Sequence, residues 1–104
     1  MTSLSTHVLD ATTGTPAAGV ALVLSDAGGD VLATAVTDHD GRARFAVDLA
    51  PATHRLAFAT GEYFAAAGRE TFYPEAVVAF TAAGPHLHVP LLLSPFAYST
   101  YRGS

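Results

Sequence analysis

The sequence predicts an all-β fold, a two-sheet antiparallel sandwich of about eight strands with one short helix. Three observations lead there. Apolar and polar residues alternate over most of the chain, the period of a half-buried strand. Turn signals recur roughly every ten residues, the spacing of an antiparallel sandwich. One segment alone, GEYFAAAG, breaks the alternation in favour of helix.

In the first strand Leu4, Thr6 and Val8 alternate with Ser5, His7 and Leu9, and a Thr- and Gly-rich turn follows at 10–14. Residues 20–25 are an apolar run of strand length. Residues 26–30 carry Gly28 and Gly29, a hairpin signal, before the next strand at 31–37. The DHDG segment at 38–41 is a polar turn ending in Gly. Residues 42–47 then alternate, with Ala43, Phe45 and Val47 on one face and Arg42, Arg44 and Ala46 on the other. Residues 48–53 contain Pro51 and read as a loop, and 54–59 alternate once more. The segment 61–68 holds a run of alanine between two glycines; alanine favours helix and is poor in strands, so a helix of about two turns is expected there. Strands at 71–82, 86–93 and 96–102 complete the set. Pro74 and Pro95 fall near strand starts or in connections, where a missing N–H is tolerated.

Composition narrows the chemistry. A chain of 104 residues is expected to form one domain spanning 1–104. With 50% hydrophobic and 13% charged residues it is too apolar for a disordered chain, and apolar enough to expect cover from another subunit. The absence of cysteine excludes disulfides, a thiol nucleophile and thiolate metal sites; the absence of lysine excludes a lysine Schiff base. The cations Arg42, Arg44, Arg55, Arg69 and Arg102 are scattered and the formal charge is −4, which argues against nucleic acid as a partner. No apolar run approaches the roughly 20 residues of a membrane span. The N-terminal residues lack the basic and long apolar regions of a signal peptide, so the expected compartment is cytoplasmic.

Strand parity then places the polar groups. With Leu4 and Val8 turned to the core, His7 faces away; with Phe45 and Val47 inward, Arg42 faces away; with Leu87, Val89 and Leu91 inward, His88 faces away. Leu92 shares the outer face of His88, so an apolar residue there implies cover by a second copy of the chain. A titratable group on a face buried between subunits is a candidate active-site residue. The plain alternatives are a solvated strand histidine for His7 and an Arg42 paired with Asp38 or Asp40. His86 and His88 share a face at a spacing that suits a metal, with His7 a conceivable third ligand, but no carboxylate falls at a fourth position and no metal is expected. His39 and His54 read as ordinary surface residues.

Several motifs together carry a resemblance: residues 4–10 (LSTHVLD), 14–20 (GTPAAGV), 37–42 (TDHDGR), Tyr63 with Phe64, 72–75 (FYPE), 88–95 (HVPLLLSP) and 98–104 (YSTYRGS). The chain resembles the 5-hydroxyisourate hydrolases, the enzyme branch of the transthyretin family, nearly end to end. The middle motifs also occur in non-catalytic sandwiches, whereas a C-terminal YRGS is specific to the enzyme branch. The resemblance implies a transthyretin-like sandwich assembled as a homotetramer, a dimer of dimers, with active sites in a channel between dimers. It implies catalytic roles for His7, Arg42 and His88, and a pocket lined by Tyr101, Arg102, Gly103 and Ser104. The chain departs from many relatives at Leu87, at Asp38 with His39, and at Phe96, and it leaves His86 without a role.

The reaction so implied is hydrolysis of the ring amide of 5-hydroxyisourate, the product of urate oxidation, to a carboxylated ureidoimidazoline, with no cofactor. Histidine titrates near neutrality, so one imidazole can act as base and the other as acid, with the assignment between His7 and His88 open. Arg42 offers a permanent cation to the oxyanion, and the hydroxyls of Tyr101 or Ser104 can orient substrate. The competing readings are a small-ligand carrier of the same fold and a structural sandwich module of a larger secreted protein.

Overall fold

The computed structural model describes residues 2–104 and arranges them as two sheets. The first is built on β1 (Ser3–Asp10), each of whose edges is shared by two partners in succession. On one edge β5 (Arg42–Phe45) pairs with the first half and β2 (Thr15–Pro16) with the second, both antiparallel. On the other edge lie β8 (His86–His88) and then β9 (Leu91–Ser94), both parallel to β1, with β10 (Ala97–Thr100) antiparallel beyond β9. The second sheet runs β4 (Val31–Val36), β3 (Ala21–Asp26), β6 (Thr53–Phe58), β7 (Ala76–Thr81), antiparallel throughout. One helix, α1 (Thr60–Ala66), links β6 to the segment before β7.

Strand alternation fills the space between the sheets. Leu4, Val8, Leu91 and Leu93 of the first sheet join Leu22, Leu24, Leu56 and Phe58 of the second, none more than 2% exposed. Burying each such side chain is worth about 1.5–3 kcal/mol. Phe64 carries α1 into the same cluster. The helix stops at Ala66, short of the expected 68, because Gly68 turns the chain at φ 67°. The N–H groups of Gly68 and Arg69 return to the carbonyls of Ala65 and Phe64. A polar knot fastens the helix to β1. The carboxylate of Asp10, fully buried, accepts hydrogen bonds from the Tyr63 hydroxyl at 2.9 Å and from the Arg69 guanidinium. Burial opposes ionisation of Asp10, but the bonds from Arg69, Tyr63 and the Thr13 N–H outweigh it and hold the carboxyl below its ordinary value.

Three further details differ from the sequence reading. The strand expected at 71–82 begins only at Ala76, because the preceding residues fold over the helix start. There the Gly61 N–H donates to the Pro74 carbonyl at 2.9 Å and the Phe72 N–H to that of Pro95 at 3.0 Å. The strand expected at 86–93 is interrupted at Val89 and Pro90, where proline has no N–H for a ladder, yet the register on β1 continues unshifted from Ser3↔His86 to Val8↔Leu91. His54, read as a surface residue, is 3% exposed: it lies on the face of β6 shared by Leu56 and Phe58. Its Nδ1 is 2.9 Å from the Ala52 carbonyl oxygen and its ring stacks on Phe80. His39 is exposed in its turn. Among the described residues no helix is long and apolar enough to cross a membrane.

Candidate active site

The DHDG turn delivers the first functional group. One carboxylate oxygen of Asp38 accepts the N–H groups of Asp40 at 2.9 Å and Arg42 at 3.0 Å. Those bonds, the one from Arg42 foremost, hold the Asp38 carboxyl below its ordinary value. Gly41 closes the turn at φ 74°, so tight against β1 that a Cβ there would collide with the Val8 carbonyl oxygen. Arg42 therefore opens β5 with its backbone fixed and its side chain in solvent, directly opposite His7.

Register assembles the rest. On β1 the residues Ser3, Ser5 and His7 share the outer face. Arg44 of β5 and His88 of β8 stand on either side of Ser5, Arg42 stands beside His7, and His86 beside Ser3. Three adjacent strands thus present one polar face. After β10 the chain continues along β8, where the Gly103 N–H donates to the His88 carbonyl at 2.9 Å. Gly103 packs so closely that a Cβ would lie 2.5 Å from Cδ2 of the His88 ring. Ser104 then closes a pocket of about 230 Å³ together with Ser5, Arg42, Arg44, His86 and His88.

The electrostatics favour a neutral imidazole at His88. Burial lowers its pKa, and the charge of Arg42 with those of His7 and His86 lowers it further. A neutral ring half-buried beside a fixed cation can take a proton while the cation meets a developing negative charge.

Of the residues singled out in the sequence, His7, Arg42, His88 and Ser104 come together on this face and Gly103 packs on His88. Tyr101 and Arg102 line a second, apolar crevice of about 480 Å³ between β7 and the C-terminal segment; Val78, Phe80 and Leu87 form its walls, and His88 lines it too, so the two pockets meet at that residue. Ser5 and Arg44 were not singled out. Both share strand parity with residues that were, the only sequence signal they carry. Among the described residues one cluster offers three cation ligands, Asp38, His39 and Asp40, all exposed; the Asp38 carboxylate is already engaged with backbone N–H groups.

A two-sheet sandwich with one short helix, and with imidazoles and a guanidinium grouped on the outer face of one sheet, defines a transthyretin-like protein that carries groups fit for acid–base chemistry. Residues 4–103 match the model of the HIUase/Transthyretin family, and the chain belongs to that family. It is 47% identical to the 5-hydroxyisourate hydrolase of Salmonella dublin, over 97% of this chain and 80% of that protein. Its structure superposes on that of Klebsiella pneumoniae 5-hydroxyisourate hydrolase with a TM-score of 0.92 at 46% identity, covering 100% of this chain and 94% of the other. It also superposes on sea bream transthyretin in complex with thyroxine, with a TM-score of 0.88 at 36% identity, covering 96% of this chain and 93% of the other.

Proposed function

We propose that the protein is a 5-hydroxyisourate hydrolase acting in urate breakdown, and that the reaction runs on its own side chains. The observation that carries this reading is the cross-strand group itself: Arg42 and a neutral His88 line one pocket, and His7 stands opposite Arg42 on the same sheet face. Identity to relatives of that name supports the substrate.

His88 accepts a proton from water as the oxygen adds to the ring carbonyl of the substrate. Arg42 faces the oxyanion that forms and meets it with a permanent charge. The amide C–N bond then breaks and His7 supplies the proton that the departing nitrogen needs. Positioned acid–base catalysis of this kind is worth ~10²–10⁴-fold. Gly103 and Ser104 shape the floor of the pocket. Tyr101 and Arg102 act from the neighbouring crevice, on the part of the substrate that does not react.

His7→Ala, Arg42→Ala and His88→Ala should each fold and each lose most activity in an ultraviolet decay assay on freshly made 5-hydroxyisourate. Wild-type rates in any one variant would remove that residue from the mechanism. The second reading is a small-ligand carrier, favoured by the likeness to a transthyretin solved with thyroxine. Equilibrium binding of thyroxine without turnover of 5-hydroxyisourate would select it.

A further inference from the structure

Ser5 stands between two imidazoles. Its hydroxyl oxygen is 2.9 Å from Nδ1 of His88 and 3.1 Å from Nε2 of His86. The other nitrogen of His86, Nδ1, is 2.6 Å from the hydroxyl of Ser3, and that hydroxyl is 3.4 Å from the Pro85 carbonyl oxygen. The parallel register of β1 and β8 builds this ladder, pairing Ser3 with His86 and Ser5 with His88.

The ladder constrains protons. A hydroxyl donates one hydrogen, and a neutral imidazole has one donor and one acceptor nitrogen. The Pro85 carbonyl can only accept. When Ser3 donates to it, Ser3 must receive the Nδ1–H of His86. The Nε2 of His86 is then a lone pair that takes the hydroxyl hydrogen of Ser5. Ser5 in turn receives the Nδ1–H of His88, and Nε2 of His88 is left with its lone pair free. Every donor has an acceptor in this arrangement. The reverse direction leaves the Pro85 carbonyl with the Ser3 N–H alone, at 3.1 Å, and puts the hydrogen of His88 on Nε2, where the ring can donate but not accept.

We propose that Ser5 and His86 are positioning residues for hydrolysis: acting through Nδ1, they hold neutral His88 in the tautomer whose Nε2 is the base. The inference rests on the reading of His88 as that base, and it gives His86 a role that strand parity alone did not supply. The titratable and charged groups around His88 are His7 on β1, Arg42 and Arg44 on β5, His86 on its own strand and Arg102 of the C-terminal segment, which shares the apolar crevice with it. None of these places a carboxylate on Nδ1, so the tautomer depends on the hydroxyl.

The test is a long-range ¹H–¹⁵N correlation spectrum of the labelled protein without substrate, at a pH where His88 is neutral. In the wild type His88 should show a protonated Nδ1 and an unprotonated Nε2. Ser5→Ala and His86→Leu should return His88 to the Nε2–H form that a free imidazole prefers, and lower kcat roughly 10- to 100-fold with KM little changed, part of the ~10²–10⁴-fold that acid–base catalysis supplies. His86→Gln, whose amide oxygen can still accept from Ser5, should restore both readouts. An Nε2–H tautomer in the wild type would overturn the proposal, as would a tautomer and kcat unmoved in both variants. Because the spectrum needs no turnover, a protonated Nδ1 in a protein that leaves 5-hydroxyisourate intact would refute the proposed activity while retaining the ladder.

Discussion

His88 takes its character from neighbours that belong to other strands. Burial and the charge of Arg42 favour its neutral form, which sets the sign of the pH dependence. A base must be deprotonated, so activity should persist to pH values below the ordinary histidine range and fall only as His88 is protonated. Arg42→Gln removes the cation, so the His88 pKa should rise and the acid limb should move to higher pH. An NMR titration of His88 reads this even where turnover is slow; an unmoved titration would separate the two groups. Gly103 offers a second check. A methyl group there would meet the His88 ring at 2.5 Å, so Gly103→Ala should displace ring or tail and cut turnover while the thermal melting temperature stays within a few degrees. Strand parity had placed His7, Arg42 and His88 off the core. It could not show Ser5 between two imidazoles, because parity assigns a face and says nothing of which strand lies alongside.

Elements join the site to the scaffold through polar knots as much as through apolar packing. The bond from Tyr63 to the Asp10 carboxylate spans the end of β1 and α1. Tyr63→Phe deletes one hydrogen bond to a charged group, a loss of about 1.5–3 kcal/mol in urea unfolding at neutral pH. The Asp10 carboxyl is held below its unfolded value, so its contribution is complete above that value and is lost as pH falls through the folded one. The penalty of Tyr63→Phe should therefore shrink in acid, and the variant should begin to unfold at a higher pH than the wild type. A penalty independent of pH would mean that the tyrosine acts by packing alone. Turns were the most legible elements: DHDG closes as read, because Asp and Gly each meet a local need there. The segment at 71–75 was not legible as a loop, since its contacts are to the helix start and to Pro95, distant in sequence.

For the molecule as a whole, the outer face of the first sheet is the decisive surface. Leu92 is half-buried there in the isolated chain, while Leu91 and Leu93 on either side are core. We propose that this face is covered by further copies. Light scattering should then find about four chains per particle, the closed assembly of two isologous pairs. Leu92→Arg should give smaller particles with an unchanged circular dichroism spectrum, because a stable interface of roughly 1,200–2,000 Å² does not accommodate an unpaired charge at its core. A monomer that still turned over substrate at the wild-type rate would rule out a pocket shared between subunits.

The sandwich, most of its turns, its helix and the placement of His7, Arg42 and His88 off the core were written in the order of the amino acids, because alternation, turn chemistry and helix propensity act over a few neighbouring positions. The folded molecule alone decided that β8 runs parallel to β1 while β5 takes the opposite edge, that the C-terminal segment returns onto His88, and that His54 is buried. Those outcomes pair residues far apart in the chain, and their energies exist only once both sheets have closed on a common core.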